Sequence, residues 1–161
     1  MQIRPFTPDD LDTLVELTIE TFRPFYDGYV LDLMGPDLFA LHHGSWEQDY
    51  RDDVPTLHDP AAGRTVAVAA VDGAVAGYVA WKIEQHRPDH GEIYILAVAP
   101  AHRRTQIARE LCVHAIDAMK AHDVAVVGIG TGDDAFHAAA RGLYESLGFT
   151  KDTIAGYIKR V

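Results

Sequence analysis

Residues Gly91 to Leu111 read GEIYILAVAPAHRRTQIAREL, and that stretch decides the fold. Glu92–Val98 is almost wholly apolar, as expected of a strand buried on both faces. Pro100 ends it, and a short loop, Ala101–Thr105, carries His102, Arg103 and Arg104. Ala108, Leu111, Cys112, Ala115, Ile116 and Met119 then recur at helical spacing. A strand feeding a loop that opens a helix leaves unpaired N–H groups at the helix start. With the helix dipole they form an anion site. Two arginines beside it favour a phosphate ligand.

The chain around this unit reads as alternating elements. Gln2–Arg4 is a short strand. Thr7 as N-cap, Pro8 at the first position and Asp10 three residues on start a helix with Leu11, Leu14, Val15, Ile19 and Phe22 as its buried stripe. Arg23-Pro24 and Gly28 interrupt it. The pattern then gives only short helical pieces, around Leu31–Met34 and Asp37–His42, before a second capping box at Ser45–Gln48 opens a helix to about Arg51. Thr65–Val71 and Val75–Ile83 are strands joined by the hairpin turn Asp72-Gly73. Gln85–His90 reads as a polar loop. After the central unit come a strand at Val124–Ile129, a helix over about Ala135–Leu147 closed by Gly148, and two last short strands at Phe149–Lys151 and Gly156–Lys159. The expected fold is a single α/β domain over residues 1–161, a mixed sheet of about seven strands with helices on both faces.

Composition narrows the function. The net charge of −10 arises entirely in residues 1–60, with thirteen Asp/Glu against three Lys/Arg; the remainder holds eleven of each sign. No basic footprint for nucleic acid is present. No apolar run is long enough to span a bilayer, and the first residues lack the apolar core of a signal peptide. A cytoplasmic protein without nucleic-acid or membrane partners is expected. The single cysteine, Cys112, excludes an internal disulfide and lies on the buried stripe as a packing residue. His42-His43, and His86 with His90, lack the supporting ligands of a metal centre and read as solvated loop residues.

Two motifs resemble those of the GCN5-related N-acetyltransferases, the GNAT superfamily. That family's loop pattern, Gln/Arg-x-x-Gly-x-Gly/Ala, falls on Arg103–Ala108, with Gln106 in place of the central glycine. The family's Asn-x-x-Ala-x-x-Leu-Tyr-Glu-x-x-Gly-Phe is similar to the run ending in Leu143-Tyr144-Glu145-Ser146-Leu147-Gly148-Phe149, with His137 at the asparagine position. The resemblance implies the GNAT fold, splayed between strands 4 and 5, and acetyl-CoA as co-substrate with no metal. It places the cofactor against Leu96, Ala97 and Val98, the loop and helix start Arg103, Arg104, Thr105, Gln106, Ile107, Ala108 and Arg109, and His137 and Tyr144. The backbone N–H of Val98 would polarise the carbonyl. Tyr144 would protonate the departing thiolate; the competing reading is a packed helix aromatic. Glu92 would be the base, its pKa raised between apolar neighbours; the competing reading is an ion-paired strand residue.

The same resemblance puts the acceptor under the first two helices, with Phe25, Tyr26, Tyr29, Trp46 and Glu92 as candidate substrate-binding residues. The acidic N-terminal third suggests a small cationic amine, a polyamine or an amino-sugar antibiotic, as acceptor; the competing reading, which weighs at least as much, is a solubilising acidic face with the aromatics in the core. A protein N-terminal or lysine acetyltransferase and a non-catalytic acyl-CoA-binding module are the alternatives. A homodimer is possible on the family pattern.

Overall fold

The computed structural model describes residues 1–160. Five strands form one sheet in the order β1 (Gln2–Pro5), β2 (Arg64–Val71), β3 (Ala74–Glu84), β4 (Arg87–Val98) and β5 (Val126–Ile129). The first three pairings are antiparallel, and β4–β5 is parallel. The helices are α1 (Leu11–Pro24), α2 (Leu31–His43), α3 (Trp46–Asp53), α4 (Ile107–Lys120) and α5 (Ala138–Ser146).

The period-2 alternation of β2 divides the molecule into two cores. Val66 and Val68 face one side with Tyr78, Ala80 and Ala97, under Leu14, Val15, Leu17 and Ile19 of α1 and Trp46 of α3. Ala67 and Ala69 face the other side with Val79, Trp81 and Ile93, under Ile107, Leu111, Cys112, Ala115 and Met119 of α4. Small residues on the second face let α4 lie close to the sheet. On the first face, Thr18 spends its only hydroxyl proton on the Leu14 carbonyl (2.6 Å), so the buried Tyr78 hydroxyl donates to Thr18 (2.6 Å).

Two features of β4 shape the site. Its register against β3 slips between Ala80 and Trp81, which face Ile95 and Ile93 respectively. Tyr94 is therefore the extra residue of a bulge, and Tyr94 and Ile95 both turn to the α1 side. Pairing with β5 ends at Ile93↔Ile129, so the edge of β4 from Tyr94 to Val98 has no strand beside it on that flank. The splay expected between strands 4 and 5 is this gap.

Other expectations need correction. β4 starts at Arg87, so most of the supposed polar loop Gln85–His90 is strand, paired through Glu84↔Arg87. Pro24 does not end the helical run: it is the last residue of α1, and the chain continues through wide π-type turns at Phe25–Val30, where the regular bonding pattern changes, into α2, which kinks at Gly35 (φ 74°). α5 begins at Ala138, later than expected. The sheet has five strands among the described residues, not about seven. Phe149–Arg160 forms no regular secondary structure, and Ile154 and Tyr157 are 95% and 97% exposed. Runs of three and four residues, broken by Asp152-Thr153, are too short to sustain a hairpin on their own.

Candidate active site

The gap beside β4 opens into a cleft of about 1430 Å³. Its walls come from α1, the end of α3, the second half of β4, the loop after it, the start of α4, and α5. Ile107 begins α4, and the bond from the Glu110 N–H to the Gln106 carbonyl (3.0 Å) opens its ladder. The earlier N–H groups have no intrahelical partners, and their residues line the cleft, an arrangement that suits an anion. Arg103 lines this end while donating to the Thr21 carbonyl of α1 (3.4 Å). Arg109 ties α4 to α5 through the Ser146 hydroxyl (2.9 Å).

Gln106 holds the N-cap position with φ 69° and ψ −5°. This left-handed conformation suits glycine and is strained for a residue with a Cβ. The backbone at Gln106 thus takes a geometry that a glycine would adopt without strain.

Tyr144 on α5 lines the cleft. Burial, with the Cys112 thiol nearby, raises its pKa above the usual phenol value, so the hydroxyl stays protonated and can donate. Cys112 is fully buried and its thiol is pushed up to about 12, which fits a packing role. Of the expected cofactor residues, Leu96, Val98, Arg103, Arg104, Thr105, Gln106, Ile107, Ala108, Arg109, His137 and Tyr144 all line the cleft. Ala97 does not: its side chain is buried in the core under α1, as strand alternation requires.

His137 is set at the start of α5 by its neighbours. Its Nδ1 pairs with the Asp134 carboxylate at 2.7 Å, and its backbone N–H donates to the other oxygen at 3.1 Å. Asp134 is nearly buried. Burial opposes its charge, but the hydrogen bonds from His137 prevail and lower its pKa. An ionised Asp134 fixes the proton on Nδ1 and leaves Nε2 as the free ring nitrogen. Phe25 meets the ring edge-on at 4.7 Å. Gly132 makes room: a Cβ there would lie 2.7 Å from His137 Nδ1 and overlap the Asp134 carboxylate.

The expected acceptor residues are placed differently. Trp46 is buried in the α1-side core with Tyr26 stacked on it at 4.7 Å. Phe25 stacks with Tyr29 at 5.8 Å and packs on Phe136 and His137 rather than lining the cleft itself. Glu92 also lies off the cleft, on the wall of a smaller groove of about 590 Å³. Its carboxylate pairs with Lys82 across the strands at 3.1 Å, and the isolated carboxylate between apolar neighbours is not found. The residues that line the cleft at its α1–α3 end include Phe22, Tyr50, Asp53, Thr56, Leu57, Arg64 and Tyr94. Tyr50 and Asp53 share one face of α3 by their i, i+3 spacing, and Tyr94 sits on the bulge. The spacing was visible in the sequence; the bulge was not.

The sequence model of the Acetyltransferase (GNAT) family matches residues 24–149. No curated protein matches the chain. Solved structures share its fold. The PaiA N-acetyltransferase of Thermoplasma acidophilum, in complex with coenzyme A, has a TM-score of 0.76 at 18% identity, covering 96% of this chain and 92% of that one. An aminoglycoside 6′-N-acetyltransferase of Acinetobacter haemolyticus gives 0.66 at 18%, over 100% and 99%. A ribosomal-protein-alanine N-acetyltransferase of Brucella melitensis biovar Abortus 2308 gives 0.65 at 18%, over 100% of both chains. No helix among the described residues is long and apolar enough to cross a membrane.

Proposed function

The chain belongs to the GNAT family of acetyltransferases, and from that premise we propose that it moves an acetyl group from acetyl-CoA to a primary amine by direct attack in a ternary complex. The observation that carries this reading is the meeting, in one cleft, of the unpaired edge of β4, the N-terminus of α4 and the Tyr144 hydroxyl. The cleft fits the cofactor: amides and Arg103 and Arg104 suit the pyrophosphate, and the free edge of β4 suits an extended amide-bearing arm. The bound thioester supplies an activated acyl group. The amine nitrogen bonds to the acyl carbon as the C–S bond breaks, with the Val98 N–H polarising the carbonyl. Tyr144 gives its proton to the sulfur.

The proton leaving the amine needs an acceptor on the cleft. We assign it to His137 Nε2, with Asp134 as the positioning residue, because Glu92 is engaged by Lys82 outside the cleft. His137→Gln is expected to lower kcat/KM about tenfold, whereas Glu92→Gln is expected to leave it nearly unchanged. The reverse pattern would transfer the role to the Lys82–Glu92 pair.

The loop geometry yields a further expectation. Gln106→Gly removes left-handed strain and clears the approach to the pyrophosphate. It should stabilise the protein by about 1 kcal/mol and tighten acetyl-CoA binding several-fold. Thermal denaturation and calorimetry on both proteins measure this; weaker binding by the glycine variant would mean that the Gln106 side chain supplies a contact of its own. The reaction class itself is tested by screening amines for release of the CoA thiol. No release, together with millimolar or absent acetyl-CoA binding, would favour a non-catalytic binding module.

The charge of residues 1–60 favours a cationic acceptor in general terms, but Asp53 alone of the carboxylates from Asp27 to Asp53 lines the cleft. The others support capture at a distance only, which salt would weaken.

A further inference from the structure

The acceptor half of the cleft holds one carboxylate and one guanidinium. Asp53 stands at the end of α3, and its carboxylate takes part in no ion pair or hydrogen bond among the described residues. Arg64 opens β2 and lines the same wall. The two are joined through Thr56, whose hydroxyl donates to the Asp53 carbonyl (2.9 Å) and accepts from Arg64 Nη1 at a long 3.5 Å. The other contact of Arg64, to Asp59, is also long at 3.4 Å, and Asp59 is shared with the Ala62 N–H. A planar group with five donors is thus held loosely and partly exposed at the cleft wall, where water or a ligand can complete its fork.

We infer that the acceptor is a zwitterion, a primary amine that also carries a carboxylate, and that Arg64 reads the carboxylate in the space between Thr56 and Tyr94. The inference rests on the acetyl-transfer reading of this cleft and adds the substrate class. Arg64 is ion-paired with Asp59 at 3.4 Å and the unpaired Asp53 lies on the same wall, so discrimination between a carboxylate and a second ammonium rests on the spare donors of the Arg64 fork alone. Lys82 does not change the balance, since Glu84 and Glu92 hold it at 2.9 and 3.1 Å. Phe22, Leu57, Tyr50 and Tyr94 give the space between the charged ends an apolar lining that suits methylene or small side-chain groups.

Register sets the separation of the two ends. Arg64 is opposite Lys82, and Lys82 is opposite Glu92. Glu92 precedes the Leu96–Val98 edge, at whose far end the Val98 N–H would meet the acyl carbonyl, by four to six residues, about 13 to 20 Å of strand. β2 is two strand spacings from β4, about 10 Å sideways. The arginine arm recovers part of that distance but not all of it. The carboxylate therefore sits beyond the reach of an α-amino acid, at about the span of two extended residues, roughly 7 Å or more. An ω-amino acid or a short peptide has the required length.

The probes are 6-aminohexanoate, 6-aminohexanamide and spermidine, each titrated calorimetrically into the protein with CoA present and each assayed for acetyl transfer. The expected result is that 6-aminohexanoate binds about tenfold more tightly than its amide and more tightly than spermidine. Arg64→Gln should erase the difference between acid and amide. An arginine that served only the turn at Asp59 would lower the melting temperature and leave that ratio unchanged. Equal binding of acid and amide, or a preference for spermidine, overturns the inference while leaving acetyl transfer intact if either amine is turned over. Selective binding of the acid with no transfer to any amine would support the site and count against the proposed reaction.

Discussion

Tyr144→Phe is expected to lower kcat by about 10²-fold or more, some 2.7 kcal/mol of barrier, while the affinity for acetyl-CoA stays nearly constant. The substitution removes one oxygen from a side chain that is mostly buried against α4 and meets Phe149 at 6.1 Å. The ring and its packing survive, so the loss reports on the hydroxyl alone. Burial holds that hydroxyl in its neutral, donating form across the ordinary assay range. Its proton has value only once charge develops on the leaving sulfur, so the loss should appear in kcat rather than in binding. Single-turnover rates and calorimetry on the two proteins separate these terms. Unchanged turnover would make Tyr144 a packing residue and leave the sulfur to be protonated by solvent. An equal loss in binding and turnover would point to collapse of the wall between α4 and α5.

How far the sequence disclosed this site depended on the range of the interactions that build each part. The strand, loop and helix from β4 to α4 were legible because local pattern dictates them: an apolar run, a proline, and a helical stripe from Ala108 to Met119. The turn at Asp72-Gly73 was equally local, and both residues adopt the positive φ that their types permit, 51° and 83°. Gln106 was visible as a departure, yet its left-handed φ could be known only from the backbone. The acceptor wall was not legible. Tyr94 reaches it through a bulge created by the register of β3 against β4, a long-range property with no local signature. Trp46 and Tyr26 carried the right chemistry for an amine, but helix packing turned them into the core. Glu92 was misplaced for a related reason. Its cross-strand neighbour is set by pairing, and pairing put Lys82 opposite it. The final strands failed on length, since an alternating pattern over three or four residues weighs little without a surface to cover.

A second large effect is expected far from the cleft, where the acidic N-terminus is fastened to the sheet. Asp10 accepts two hydrogen bonds from Arg4, at 2.7 and 2.6 Å, and two more from the Thr7 backbone N–H and hydroxyl at 2.9 Å each. These bonds join β1 to the start of α1, and the side chain is only 8% exposed. The bidentate arginine, against the opposing cost of burial, brings the Asp10 pKa from 3.8 down to about 2. A carboxylate with a depressed native pKa stabilises the fold above its unfolded pKa and ceases to do so as pH falls through the native value. The shift corresponds to about 2 kcal/mol at neutral pH, lost between roughly pH 4 and pH 2. Asp10→Asn keeps the shape but not the charge. It should destabilise the protein by about that amount at pH 7, a fall in melting temperature of about 4–8 °C for a chain of this size. The gap between the two proteins should then close as the pH approaches 2, because wild-type Asp10 becomes neutral there as well. Denaturation curves at pH 7, 4 and 2 test both parts. A gap that persists undiminished at pH 2 would assign the loss to hydrogen-bond geometry at Thr7 rather than to the ion pair with Arg4.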